Sequence, residues 1–217
     1  MSHVEPALYL VTPPVEDASA FRPQLDEACS AGGVVAVLLR LAPADERTLL
    51  ARLKVLVPVV QAHGAAAIVA DPGEPADLVA LTVRSGADGA QAAANGRLHE
   101  LCERLKDGRN IGAGGLASKH DAMIAGELGV DYVMFGEERS DGSLPSLDLV
   151  MERSEWWAEI FQLPCVVVAP SLAAVPDLAR TGADFIALGD AVWSHPAGPP
   201  DGVRAAKAAI STAMVPA

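Results

Sequence analysis

A glycine, one small or branched residue and an aspartate precede a short apolar run at three places in this chain. This repeat constrains the fold more than any other feature, and its copies begin at Gly86, Gly129 and Gly182. Glycine adopts the left-handed conformation that ends a helix without a steric penalty. The runs that follow are too short for a helix and are flanked by breakers, which favours a strand. The repeated unit is therefore helix, turn, strand, as in repeat architectures.

Predicted strands and helices alternate along the whole chain. Seven strands are predicted at residues 7–12, 34–40, 65–70, 110–113, 131–136, 164–169 and 184–189, and a short fourth strand ends near Gln91. Helices are predicted at residues 17–30, 44–62, 75–85, 96–107, 117–128, 146–161, 170–181 and 201–213.

This alternation predicts an α/β fold, a parallel (β/α)8 TIM barrel. The alternative is a doubly wound open sheet, which carries a glycine-rich turn after its first strand, where this chain has Thr12-Pro13-Pro14. A length of 217 residues suits one barrel domain over residues 1–217.

The amino-acid composition indicates the kind of core and excludes some classes of binding partner. Hydrophobic residues make up 51% of the chain and aromatic residues 4%, so the core is predicted to be aliphatic. A net charge of −12 disfavours nucleic acid and anionic membranes, because both need a basic face. The three scattered cysteines indicate reduced thiols. No signal peptide or membrane span is evident, so we expect a cytoplasmic protein.

In such barrels the active site lies on the loops after the carboxyl ends of the strands. Arg40 ends the second strand, and its planar fork of donors suits a phosphate or carboxylate. The alternative for Arg40 is a salt bridge to Asp71 at the end of the third strand. Asp71 could bind Mg²⁺, a cation that prefers carboxylate oxygens, although Asp-Pro-Gly is also ordinary turn chemistry. Gln91 ends the fourth strand and completes this group of candidates.

Two glycine turns are candidate anion sites. Gly114 and Gly115 open a helix with bare N–H groups, and Ser118 and Lys119 lie close by in sequence. Tight packing between strand and helix explains the same glycine pair.

The second candidate, Gly189-Asp190-Ala191, falls where these barrels often bind phosphate. We favour Asp190 as an N-cap that accepts from the N–H groups of Val192 or Trp193. Ser171 follows the seventh strand at the same end of the predicted barrel.

The sixth strand ends in a charged loop that begins at Gly136 and contains Glu137, Glu138, Arg139 and Asp141. Paired carboxylates could act in acid–base chemistry, although an exposed run of charges is more often simply solvated. On the following helix we interpret Trp156 and Trp157 as packing residues, with a homodimer contact as the alternative.

Taken in order, seven segments resemble the thiamine phosphate synthase/TenI family of parallel β/α barrels. They are Leu8–Thr12, Leu39-Arg40, Ile68–Asp71, Gly86–Gly89, Ile111-Gly112, Gly129–Gly136 and Gly182–Val192. The resemblance implies a transferase that joins a hydroxymethylpyrimidine diphosphate to a thiazole phosphate, with magnesium helping pyrophosphate to leave. It further implies that Arg40 and Lys119 bind phosphate, that Asp71 binds magnesium and that Gly114-Gly115 receives a second phosphate.

The departures from the family pattern fall on positions that handle the diphosphate and the metal. The family glycine–proline pair after the sixth strand is Gly136-Glu137, and the serine of its phosphate turn is Asp190. Two further hypotheses follow. The chain could be a non-catalytic relative, a pseudoenzyme that binds a small phosphorylated metabolite or a protein. It could also be a different barrel enzyme that uses Glu137 or Glu138 as a base.

Overall fold

Eight parallel strands close into a barrel in chain order, and the first strand pairs with the last, which confirms the predicted fold class. The computed structural model describes residues 5–94, 96–105, 108–139 and 142–214. The strands are β1 (Ala7–Val11), β2 (Val34–Leu39), β3 (Ala66–Ala70), β4 (Gly89–Ala93), β5 (Asn110–Gly114), β6 (Tyr132–Phe135), β7 (Cys165–Ala169) and β8 (Phe185–Leu188).

A helical segment follows each strand. The helices are α1 (Ala18–Ser30), α2 (Glu46–Ala62), α3 (Leu78–Ser85), α4 (Gly96–Arg104), α5 (Lys119–Glu127), α6 (Leu147–Ile160), α7 (Val175–Ala179), α8 (Asp190–Trp193) and α9 (Pro199–Met214). Among the described helices, none is long and apolar enough to cross a membrane.

Successive strand residues point to opposite faces, which divides the apolar core into two layers. On β1, Leu8 and Leu10 point outward and pack against the helices, whereas Tyr9 points into the barrel. The inner layer contains one residue or more from most strands, and Tyr9 and Tyr132 are its large polar members. The predicted aliphatic core is therefore correct for the shell, while the barrel interior also contains two tyrosines.

The glycine–x–aspartate repeat forms clamps at the amino ends of the strands. Gly86, Gly129 and Gly182 have φ values of 77°, 80° and 86°, the left-handed conformation predicted for them.

Each aspartate of the repeat then accepts a hydrogen bond from a backbone N–H at the start of the preceding strand. Asp88 accepts from Ala67 at 2.8 Å, Asp131 from Ile111 at 2.7 Å, and Asp184 from Cys165 at 2.8 Å. The repeat therefore ties β3 to β4, β5 to β6 and β7 to β8.

Several predicted boundaries shift. The helix predicted at 170–181 is a 3-10 turn, Leu172–Ala174, followed by α7, and Pro176, which lacks an N–H, lies in the first turn of α7. The helix predicted from 75 begins at Leu78, because the Asp77 side chain caps the N–H of Ala80. The last helix begins at Pro199, earlier than predicted. The predicted end of α4 at residues 106 and 107 lies outside the described residues.

The two adjacent tryptophans of α6 pack as we interpreted them. Trp157 is buried, stacks on Phe161 with ring centroids 4.1 Å apart, and donates its indole N–H to the carbonyl of Leu163 at 2.7 Å. Trp156 is half-buried beside it, and the Lys119 ammonium lies 5.0 Å from the centre of its ring. A homodimer contact through α6 stays a prediction.

Candidate functional site

A cavity of about 420 Å³ opens at the carboxyl ends of the strands, where the fold places active sites. Its floor is apolar and consists of the inward side chains of Val11, Leu38, Met134 and Val168. Its rim is charged. The described rim residues are Thr12, Arg40, Glu137, Glu138, Gly142, Leu144, Ala169, Pro170, Gly189 and Asp190.

Arg40 is held at the rim through its backbone. The buried Thr12 hydroxyl accepts from the N–H of Arg40 at 2.9 Å and donates to its carbonyl at 3.3 Å. Within the described residues, the Arg40 guanidinium makes no hydrogen bond or ion pair. The alternative salt bridge to Asp71 is therefore wrong, and the fork of donors faces the cavity.

Glu137 forms the opposite side of the rim and is held by two neutral donors. The Gln91 amide donates to Oε1 at 2.8 Å, and the backbone N–H of Gly115 donates to Oε2 at 2.6 Å. Burial raises the pKa of the Glu137 carboxyl, and the Gly115 N–H, the Arg40 charge and the Gln91 amide oppose that shift. The predicted anion site at Gly114-Gly115 thus has one of its N–H groups bonded to a carboxylate of the protein.

A chain of buried hydrogen bonds runs from Glu137 into the barrel. The hydroxyl of Tyr132 donates to Gln91 Oε1 at 2.9 Å, and the Tyr9 hydroxyl lies 3.0 Å from that of Tyr132. An ionised carboxylate only accepts, so Gln91 presents its amide nitrogen to Glu137 and its oxygen to Tyr132. Because Tyr132 gives its one proton to Gln91, the proton of Tyr9 points to Tyr132. The charge on Glu137 therefore sets the donor-to-acceptor direction of every hydrogen bond in this series.

Two glycines of β5 make room for this chain. A Cβ atom on Gly112 would lie 2.2 Å from Cζ of Tyr132, and one on Gly114 would lie 2.5 Å from Oε2 of Glu137. The two positions are two residues apart and share the inner face of the strand. Gly114 therefore contributes to the site by leaving room for the Glu137 carboxylate. Gln91 contributes by donating a hydrogen bond to that carboxylate.

Asp71 is bonded to Arg97, an arginine that was not among the predicted site residues. Arg97 donates to both carboxylate oxygens, at 2.6 and 3.0 Å, and also to Glu74 at 2.9 Å. The N–H of Gly73 adds a further bond to Asp71 at 2.9 Å. The described residues form no group of three His, Cys, Asp or Glu that could hold a metal. This geometry does not fit the predicted Mg²⁺ site, since Asp71 would have to release Arg97 first.

Ser118 and Lys119 lie at the start of α5 and are not among the residues that line the cavity. Ser118 is the N-cap of that helix and forms a capping box with Asp121. The Lys119 ammonium lies 2.8 Å from a carboxylate oxygen of Glu152 on α6. Both side chains therefore have structural partners in this conformation, and phosphate binding by them stays a prediction.

The turn after β8 differs from its predicted form. Gly189 is the N-cap of α8 and no side chain caps this helix, so the predicted capping role of Asp190 is wrong. The reason is register, since Asp190 is already the first helical residue and the N–H groups of Val192 and Trp193 bond to the carbonyl of Gly189.

The remaining predicted residues lie around this turn and the cavity. Gly189 and Asp190 line the cavity, whereas Ala191 packs partly against the core, and Ser171 is exposed at the start of the 3-10 turn. Gly136 has a φ of 92°, and a Cβ there would meet the carbonyl of Val168 at 3.0 Å. It directs the chain so that Glu137 reaches the cavity. Of the charged loop, Glu138 lines the cavity, and Asp141 lies outside the described residues.

Comparison with known proteins gives a family match over most of the chain. A family model described as thiamine monophosphate synthase matches residues 8–192. The chain belongs to this family. A protein named thiamine-phosphate synthase from Rhodospirillum centenum is 38% identical over 200 residues, which cover 88% of this chain and 91% of that relative. Another of that name, from Erythrobacter litoralis, is 35% identical and covers 86% and 88%.

A solved structure supports the fold of this family member. The thiamine phosphate pyrophosphorylase from Pyrococcus furiosus superposes with a TM-score of 0.77 at 20% identity, covering 96% of this chain and 97% of that one. A 3-hexulose-6-phosphate synthase superposes with a TM-score of 0.70 at 17% identity. At these identities the likeness shows the barrel and nothing about the reaction.

Three contributors to the site of this thiamine monophosphate synthase family member were not among the predicted residues. Thr12 holds the backbone of Arg40, while Tyr9 and Tyr132 orient Gln91. A usable signal was present, since Tyr9 alternates with outward-facing leucines and Tyr132 follows the glycine–x–aspartate unit at the start of β6. Polar aromatic residues on the inner face of a barrel strand need hydrogen-bond partners inside the barrel.

Proposed function

We propose that this protein is a thiamine phosphate synthase-type transferase, which joins a hydroxymethylpyrimidine diphosphate to a thiazole phosphate and releases pyrophosphate. The observation that carries the proposal is the 38% identity to a named thiamine-phosphate synthase over 88% of this chain and 91% of that relative. The resemblance in the ordered strand ends and the cavity at the fold's usual active-site position add support.

The cavity supplies two elements that such a transfer requires. Its apolar floor suits flat heteroaromatic rings, and the Arg40 guanidinium offers paired donors to phosphate oxygens. Binding both reactants in one cavity makes the reaction effectively intramolecular, which lowers the barrier through orientation. Phosphate binding at Gly189, Asp190 and Ala191 remains part of the proposal.

The test is a discontinuous assay of thiamine phosphate formation from the two precursors, with and without Mg²⁺. We expect turnover by the wild type and a loss of about 100-fold or more in kcat/KM for Arg40→Ala, because a charge-assisted phosphate contact is removed. Arg47→Ala is the control, since Arg47 is exposed on α2 and is not among the residues that line the cavity. Unchanged turnover in Arg40→Ala would remove Arg40 from the site.

A second candidate is a non-catalytic relative that binds a small phosphorylated metabolite. The family resemblance implies that three residues contact ligands, but each of them is bonded to another residue of the protein, and this favours the second candidate. Gly115 bonds to Glu137, Asp71 to Arg97 and Lys119 to Glu152. Under this hypothesis no thiamine phosphate forms from the precursors at any Mg²⁺ concentration, although ligands still raise the melting temperature of the protein.

A further inference from the structure

Arg40 and Glu137 lie on opposite sides of the cavity rim and face the same space. Arg40 follows β2, and Glu137 follows β6 after Gly136. Their charges interact through space, and these two described side chains form no ion pair. A diphosphate that binds to Arg40 brings further negative charge close to the Glu137 carboxylate. The charge on Glu137 therefore opposes the binding of the ligand unless that charge is removed.

The hydrogen bonds of Glu137 allow its charge to be removed. Its donors, the Gln91 amide at 2.8 Å and the Gly115 N–H at 2.6 Å, are both neutral. Neutral donors orient a carboxylate but do not cancel its charge as a salt bridge does. A carboxylate has about four lone-pair sites, and these two bonds use one site on each oxygen. A proton therefore has room to bind, and no salt bridge with Arg40 is lost when it does.

Burial distinguishes Glu137 from the two other carboxylates of the cavity. Glu137 is half-buried, whereas Glu138 and Asp190 are exposed, and water screens an exposed charge. Burial raises the pKa of the Glu137 carboxyl, and the Gly115 N–H, the Arg40 charge and the Gln91 amide oppose that shift. An anion on Arg40 offsets the Arg40 charge and adds a repulsion of its own, so it raises this pKa further.

The groups around Glu137 do not compete with it for a proton. The described charged and titratable groups that face it or share its cavity are Arg40 from β2, Tyr9 from β1, Tyr132 from β6, and Glu138 and Asp190. Burial raises the pKa of both tyrosine hydroxyls above the ordinary value, so both keep their protons at neutral pH. An arginine guanidinium does not lose its proton in proteins. Glu137 is therefore the group at which a proton is gained.

We propose that binding of a phosphate or diphosphate group at Arg40 is coupled to the uptake of a proton by Glu137. The proposal rests on the proposed function for the chemistry of the ligand, and it concerns the regulation of that site. By reciprocity, protonation of Glu137 strengthens anion binding by the same factor by which the anion strengthens protonation. Affinity for the anion therefore rises as the pH falls through the pKa of Glu137, and the increase is lost above that pKa.

This coupling depends on a residue at which the chain departs from its family. The pair that follows β6 is Gly136-Glu137, where the family pattern has glycine and proline. Proline has no ionisable side chain and cannot take up a proton. The coupling therefore distinguishes this chain from that pattern, although both accommodate an anionic ligand.

The experiment is isothermal titration of the full chain with inorganic pyrophosphate between about pH 5 and pH 8, a range that includes ordinary and raised carboxyl pKa values. Each titration is repeated in buffers of different ionisation enthalpy, which gives the number of protons taken up. At the pH of the largest effect, the wild type should take up about half a proton or more beyond Glu137→Gln. Protons that pyrophosphate itself binds contribute equally to both proteins.

The affinities provide a second readout from the same titrations. Near pH 8, Glu137→Gln should bind pyrophosphate about tenfold or more tightly than the wild type, because its cavity has lost a negative charge. The two affinities should converge as the pH falls, since the wild-type carboxyl is then neutral as well.

Glu138→Gln is the matched control, because it removes the same charge from an exposed side chain of the same cavity. It should retain the proton uptake of the wild type. Glu127→Gln, which is exposed on α5 and outside the cavity lining, should match the wild type in affinity and in proton uptake. Circular dichroism and the melting temperature check that Glu137→Gln keeps the fold.

Inorganic sulfate adds a measurement that needs no variant. Sulfate does not bind a proton in this pH range, so any proton taken up when the wild type binds it belongs to the protein. The proposal is wrong if the wild type binds neither anion, if it binds them without proton uptake, or if the uptake survives Glu137→Gln.

The proposed function is tested separately by turnover of the two precursors. Turnover without proton uptake would leave the proposed function standing and remove the coupling. Proton-coupled binding of pyrophosphate without turnover would support the coupling and contradict the proposed function.

Discussion

At the scale of single residues, Tyr132 links two buried groups that cannot reach water. Tyr132→Phe deprives Gln91 of its donor and Tyr9 of its acceptor. We expect a loss of about 3 kcal/mol in the free energy of unfolding, because two buried polar groups become unsatisfied. Tyr9→Phe removes only the hydrogen bond from Tyr9 to Tyr132 and should lower the free energy of unfolding by about 1 kcal/mol. Urea denaturation of both variants measures the difference.

The order of the two tyrosine variants is the informative result. If Tyr9→Phe cost as much as Tyr132→Phe, the direction that we assign to the hydrogen bonds would be wrong. Leu144→Ala is a suitable reference, since Leu144 is 53% exposed at the rim and its loss removes little buried surface.

A site residue can be predicted from the sequence when its position at the end of a strand is enough to place it at the cavity. Arg40 was predicted at the cavity because a lone charge ends an apolar strand, and the structure places its guanidinium there. Gln91 and Glu137 were also candidates, but their mutual bond depends on the stagger of β4, β5 and β6, which no local pattern encodes. The predicted N-cap, Asp190, was wrong by one residue, since the N-cap of α8 is Gly189. The sequence of this turn does not determine at which residue the helical dihedral angles begin.

At the scale of elements, β5 is the strand on which the site depends most. Gly112→Ala would place a methyl group 2.2 Å from Cζ of Tyr132, inside a filled barrel. We expect a loss of roughly 1–3 kcal/mol or more in the free energy of unfolding, since the ring cannot move without breaking its hydrogen bonds. The prediction is checked by chemical denaturation.

The control for this variant lies on a neighbouring helix. A Cβ on Gly96 of α4 has no heavy atom within 4 Å, so Gly96→Ala should leave stability unchanged or raise it by up to about 1 kcal/mol. Equal destabilisation by the two variants would mean that the lack of space at Gly112 does not cause the loss.

Strand and helix types could be predicted because the hydrophobic runs and glycine breaks are local. The boundaries were less accurate, since they depend on capping contacts such as that of Asp77 and on Pro176. Gly114 was interpreted, together with Gly115, as an anion site. The function of Gly114 and Gly112 as space for Glu137 and Tyr132 depends on residues 20 or more positions away along the chain.

At the scale of the whole molecule, the three aspartate clamps hold neighbouring strands at the amino end of the barrel, opposite the cavity. Asp88→Ala and Asp184→Ala should each lower the free energy of unfolding by about 1–3 kcal/mol, because the N–H groups of the fully buried Ala67 and Cys165 lose their acceptors. Scanning calorimetry on each variant gives the comparison.

Asp177→Ala serves as the control because Asp177 lies in an exposed pair with Arg180 at 3.3 Å, which contributes little to stability. A change of less than about 0.5 kcal/mol is expected there. If the clamp variants lose as little free energy of unfolding as this control, the repeat serves only to end the helices and does not stabilise the barrel. Closure of the barrel itself was predictable, since eight alternating units leave few other topologies for parallel strands.

The buried chain of Tyr9, Tyr132, Gln91 and Glu137 also admits a reversed arrangement. A protonated Glu137 can donate, and Gln91 then turns its amide over and presents its nitrogen to Tyr132. The Tyr132 proton then points to Tyr9, and the Tyr9 proton turns away from Tyr132, so the dipoles of these hydrogen bonds reverse without any movement of the backbone. The ionisation state of Glu137 therefore decides which way the hydroxyls of Tyr132 and Tyr9 point inside the barrel.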